Sequence, residues 1–193
     1  MMAYQAGNGS PGRRERCWHM ITELDLMRLV ADHSRLERYC RALEAATSGA
    51  PGARQRTITP MLRDMVETAL ELCARHGQER LEAWFDAEAG EPVAGALLSA
   101  IRAAHGSALR QCRELIATLE RRAQLQEEGS ATSLAAALLR GTIQSCRQAM
   151  LLEKLAIAQL AGERLTPGAR GLLDDSLVAL CEDQAAPAGA YRA

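Results

Sequence analysis

Aromatic side chains are scarce in this chain: one Phe, two Trp and three Tyr make up 3% of 193 residues. Strands draw on aromatic and β-branched residues, whereas alanine, leucine, arginine and glutamate dominate here, and the composition predicts an all-α protein. No apolar run approaches the ~20 residues of a membrane span. The opening MMAYQAGNGSPGRRERCWHM lacks a signal-peptide apolar core, so the expected setting is cytoplasmic, with no membrane partner. Net charge is −1 and acids and bases alternate along the chain, which leaves no electrostatic footprint for nucleic acid. The only basic cluster, GRRER, adjoins a glycine-rich lead and reads as a solvated tail. Six cysteines are present without CxxC spacing, which predicts reduced thiols. Catalytic triads, phosphate-binding glycine loops and zinc-protease HExxH motifs are all missing, so an enzyme reading would rest on a metal alone.

What is there is long helical periodicity, enough for one core and one domain. Residues 1–20 and 185–193 read as flexible ends around a bundle over 21–184. Helix 1 is expected from Thr22, its cap, to about Ala46, before TSGAPGARQR breaks it. Thr59-Pro60 opens helix 2, which runs to about Ala87; Glu91-Pro92 opens helix 3, to about Glu127. Helix 4 is expected from Ser133 to about Arg164, and Thr166-Pro167 starts a short fifth helix to about Asp183. Four long amphipathic segments with short connections predict an antiparallel up-down four-helix bundle.

The apolar stripes of three of these helices each carry a histidine. His33 lies among Leu29, Leu36 and Cys40. His76 follows Leu72 and Cys73 in LELCARHGQERLEAWF. His105 falls between Ile101 and Ala108. In alternating helices these positions, with Ala149 on helix 4, are expected at one height. A lone histidine on such a face is ordinarily a hydrogen-bonded core residue, but three at one height suggest a site. His19 lies outside every stripe.

This arrangement resembles the hemerythrin and HHE-type bundle, whose pattern is a histidine on helix 1, H-x3-E on helix 2, a histidine on helix 3 and H-x3-E on helix 4. The strongest match is CRQAMLLEKLAIAQLAGERLTP, and the resemblance spans roughly 22–177. It implies His33, His76, His105 and Glu153 as metal ligands, with iron as the metal. Arg80 and Ala149 stand where the family has a glutamate and a histidine, so the resemblance implies one ion or none in place of two irons. Arg80 is a permanent cation and is expected to pair with Glu153; a single Fe, Zn or Mn ion needs it turned outward. Glu79 points about 100° away.

Two features belong to no family motif. Cys40, Cys73, Cys112 and Cys146 are all offset from the histidine layer toward one end, either as small core residues or as a thiol pocket for a soft metal or an oxidant. Gly77 and Gly106 each follow a histidine at a helical cost of ~1 kcal/mol. They allow either close helix approach or space for dioxygen, nitric oxide or peroxide. The function expected is therefore a hemerythrin-like bundle with a degenerate metal site that binds a metal or small molecule or senses redox state. The alternative is a metal-free bundle serving protein interaction. Neither the metal, the ligand, a protein partner nor the oligomeric state is legible.

Overall fold

The computed structural model describes residues 20–46, 51–85, 91–125 and 132–185. All but residues 20 and 185 of the expected ends, 1–20 and 185–193, lie outside the described residues, and so do His19 and Trp18. Nearly all of the described chain is helical: α1 (Glu23–Ala46), α2 (Pro51–Met65), a π-helical turn (Val66–Leu70), α3 (Glu71–Phe85), α4 (Pro92–Leu125), α5 (Thr132–Ala161), a 3-10 turn (Gly162–Arg164) and α6 (Pro167–Ala185). No helix among these residues is long and apolar enough to cross a membrane.

Several starts follow their capping chemistry. Thr22 precedes α1, and the Asp25 carboxylate accepts from both its backbone N–H and its hydroxyl at 3.0 and 2.8 Å. This closes the first turn through the acid three residues on. Thr166 caps α6 by accepting the Ala169 N–H at 3.2 Å, and proline follows at the first helical position. A single parallel bridge between Ile21 and Leu165 ties the start of α1 to the α5–α6 junction. Arg164 is buried beneath it, donating to the Trp84 carbonyl and lying 5.3 Å over the Phe85 ring.

The second helical segment departs from the reading of the sequence. It begins at Pro51, nine residues before the expected start, with Pro60 inside it. Proline 51 is as competent a first helical residue as proline 60, and Pro60 sits on the exposed face, where solvent can meet the carbonyl that its missing N–H leaves free. Further along, the Glu71 N–H bonds to the Val66 carbonyl, an i to i+5 bond. Such a π turn admits one extra residue and rotates everything after it relative to an unbroken α-helix.

The core has two apolar halves. One contains Leu36, Cys40, Met65, Cys73, Ala108, Cys112, Cys146 and Met150; the other contains Leu26, Leu29, Leu81, Phe85, Ile101, Ala156 and Ile157. Each long helix crosses from one half to the other between consecutive stripe residues: Leu29 to Leu36, Cys73 to Leu81, Ile101 to Ala108, Met150 to Ala156. The buried residues in those gaps are His33, Gly77, His105, Glu153 and Lys154.

Candidate functional site

Glu153 is wholly buried, and His33 and His105 are 4% and 3% exposed. The two imidazoles, from α1 and α4, take different oxygens of the carboxylate. His33 Nε2 lies 2.6 Å from Oε2, and His105 Nε2 lies 2.6 Å from Oε1. Burial alone would raise the Glu153 carboxyl, but the hydrogen bonds from His105 and His33 outweigh it and hold the group at about 2. Burial lowers His33, with the Glu153 hydrogen bond acting against it. The layer is thus an ionised carboxylate accepting two Nε2–H bonds, in which the Nδ1 atoms of both rings are buried with no partner.

The remaining helix of the layer, α3, supplies an absence of side chain. A Cβ on Gly77 would sit 2.3 Å from Glu153 Oε1 and 3.1 Å from its Cδ, so only glycine lets the carboxylate lie against the α3 backbone. Here the structure corrects the expected layer. His76 is half-buried and is not among the residues bonded to Glu153, because the π turn sets the buried face of α3 on Cys73, Gly77, Leu81 and Trp84. The same rotation takes Arg80 away. Its Nη2 donates to Asp32 at 2.8 Å, so the expected pairing with Glu153 does not form. Glu79 is exposed, as its position implied, and Ala149 is buried one turn before Glu153.

Sequence reasoning missed Gly77 as a determinant of the site. The available signal was the pair of helical glycines, and they differ. A Cβ at Gly106 would meet only Arg110 Nη1, at 3.5 Å. Lys154, next to Glu153, was also missed. It is 5% exposed, donates to the Ser176 carbonyl at 3.1 Å, and is lowered to about 8 by burial, against the attraction of Glu153.

The four expected cysteines are buried, unpaired and in one half of the core. Cys146 is the middle member. Its hydrogen-bonding contact raises Cys40, with burial adding to it, and its own thiol is raised first by contact with Cys112. Burial pushes Cys73 up to about 12, with Glu153 and Asp32 contributing. Protonated thiols packed this way behave as small apolar groups.

Two imidazoles and a carboxylate are a familiar donor set for one metal ion, but their arrangement does not fit one as it stands. Among the described residues no group of three or more His, Cys, Asp and Glu side chains is arranged to hold a metal ion. Contacts of 2.6 Å are hydrogen bonds, whereas ligands each ~2.1 Å from an ion lie roughly 3 Å or more apart. Ligation through Nε2 would also move each ring proton to Nδ1, leaving a buried donor unpaired at about 1–3 kcal/mol each, where metal-bound imidazoles ordinarily have a hydrogen-bonded partner.

His105 has a second environment. It forms part of the wall of an open groove of about 630 Å³ between α3 and α4, with Gly106, Leu72 and Leu109 beside it. No protein-family model, curated protein or solved structure matches the chain.

Proposed function

We propose that this chain is a hemerythrin-like, antiparallel up-down four-helix bundle that has exchanged its metal centre for a hydrogen-bonded His33–Glu153–His105 layer, and that it works in the cytoplasm as a small-ligand-binding protein. Cross-contacts support the arrangement. Asp32 pairs with Arg80 and Tyr39 with Thr68. Glu71 pairs with Arg113 and Glu82 with Arg102. His105 meets Glu153 and Gln111 meets Ser145. His33 meets Glu153 while Glu37 and Glu44 meet Arg147. In each pair of helices, rising numbers on one side meet falling numbers on the other.

The observation that carries the reading is the closure of a fully buried carboxylate by two Nε2–H donors at 2.6 Å, with one of those rings also walling a groove. The test is metal analysis and a visible spectrum after expression in iron-supplemented medium. Expected are less than one ion per chain and no oxo-bridged band; two irons per chain would sink the reading.

A second reading, one weakly held Fe, Zn or Mn ion on His33, His105 and Glu153, is favoured by Arg80 being engaged with Asp32 and so not opposing a dication. Saturable uptake of one zinc with loss of both Nε2–H NMR signals would support it. His76 has no part in either reading.

A further inference from the structure

We propose that the seam between α1 and the run of α2 and the π turn binds an apolar monocarboxylate, a carboxylate head on a short hydrocarbon body. The seam holds a groove of about 580 Å³ lined by Arg35, Arg38, Tyr39 and Ala42 of α1, Met61 of α2 and Thr68 of the π turn. None of these belongs to the His33–Glu153–His105 layer. On α1 the four positions are i, i+3, i+4 and i+7, one face of a helix over roughly 10 Å. The second helical segment runs the other way, with Arg80 at Asp32 and Thr68 at Tyr39, so Met61 falls at the Ala42 end. The groove is therefore charged at one end and apolar at the other.

Tyr39 lies between the two ends and crosses the seam. Its hydroxyl donates to the Asp64 carboxylate and lies 3.0 Å from the Thr68 hydroxyl, which donates to the Asp64 carbonyl at 2.7 Å. The phenol proton is spent, and the ring is held as an apolar surface across the groove. Only the two guanidinium groups are left to offer donors to a ligand.

The charges around the groove select the head group. Arg41, Arg63, Arg80, Arg102, Arg113 and Arg147 each meet a carboxylate, whereas among the described residues none pairs with Arg35 or Arg38. The neighbouring acids are engaged or face elsewhere: Asp32 meets Arg80, Glu37 meets Arg41 and Arg147, and Glu67 lines the α3–α4 groove. Asp64 stands at the edge, and counting it in full against Arg35 and Arg38 leaves a surplus of one positive charge. Like charges one helical turn apart repel, and a carboxylate accepting from both planar forks relieves that repulsion. A dianion would also face Asp64, and an ammonium would face two cations. Met61, an adaptable thioether chain, suits the hydrocarbon body.

The experiment titrates the full chain, labelled with 15N in arginine, with sodium octanoate below its micelle concentration. The Nε–H signals of Arg35 and Arg38 should shift saturably while that of Arg75, in the α3–α4 groove, stays in place. The same body without the head, 1-octanol, and the opposite charge, octylammonium, should each bind about tenfold more weakly or not at all. Arg35→Gln and Arg38→Gln should each weaken octanoate binding by up to about fivefold, the size of an exposed ion pair, and together by about tenfold or more. Ala42→Glu sets an acid against the hydrocarbon body and should weaken binding comparably. All three positions are exposed, so the variants should keep the melting temperature. Three results would overturn the proposal: no saturable shift at Arg35 and Arg38, equal binding of 1-octanol or octylammonium, or undiminished binding by the folded double variant. Because the site shares no residue with the carboxylate layer, its failure leaves the reading of that layer in place.

Discussion

Two layers of the same helical core are built to the same plan and obey opposite rules. In one, His33, Gly77, His105 and Glu153 come from four helical segments; in the other come Cys40 and Cys112, seven residues after His33 and His105, with Cys73 four before Gly77 and Cys146 seven before Glu153. Every residue named in both is buried. The thiol layer makes few demands, because a protonated thiol is nearly apolar and its weak hydrogen bonds are optional. The carboxylate layer makes strict ones. An unpaired buried charge is ruinous, so the two histidines and the missing side chain at Gly77 must all be in place together. A buried polar layer is therefore specified residue by residue, whereas a buried thiol layer is specified mainly by volume.

That contrast can be broken most severely at Glu153. Glu153→Ala leaves two buried Nε2–H donors unpaired and should cost about 3 kcal/mol or more, measured by urea unfolding. Acid should do the same reversibly. Glu153 (about 2, ordinarily 4.5) and His33 (below its ordinary 6.5) both hold folded values below their unfolded ones. The unfolded chain thus binds protons first, and the stability they contribute is present above about pH 6.5 and lost as pH falls toward 2. The Glu153 share is on the order of 3 kcal/mol, and a Glu153→Gln variant should show no such loss below pH 4.5.

Smaller effects sharpen the comparison. Gly77→Ala drives a Cβ into the carboxylate and should destabilise by about 1–3 kcal/mol, whereas Gly106→Ala meets only ordinary contact and should stabilise by about 0.5–1 kcal/mol. Equal outcomes from those two substitutions, or Gly77→Ala stabilising while Gly106→Ala destabilises, would mean that the register set by the π turn is wrong. In the thiol layer, Cys146→Ala should cost about 1 kcal/mol, and native protein should react with a thiol reagent at Cys40, Cys73, Cys112 and Cys146 only as fast as it opens. Fast labelling of these four would make the layer a reactive pocket. The smallest expected effect is none at all: writing the hemerythrin pattern into the chain with Arg80→Glu and Ala149→His should leave the iron content unchanged, because position 80 pairs with α1 at Asp32 and His76 lies off the layer.

The sequence by itself determined the helical class, the start of α1 after Thr22, where Asp25 and not the Thr22 hydroxyl is the acceptor, the cap at Thr166, the burial of His33, His105 and Glu153, and the grouping of the four thiols, since each follows from period, turn chemistry or spacing along the helices. It could not determine the register of α3. A π turn depends on how the helical run packs on both sides of residues 66–70 and leaves no mark in the 3.6-residue pattern, which reads equally well through Leu72, His76 and Arg80. Only tertiary structure placed Gly77 in the layer, where the Glu153 carboxylate, pulled in by two imidazoles from other helices, leaves no room for a Cβ. The partner of Arg80 was decided in the same way: one residue of rotation moves its guanidinium from a buried carboxylate to the half-buried Asp32, where the charge stays closer to water.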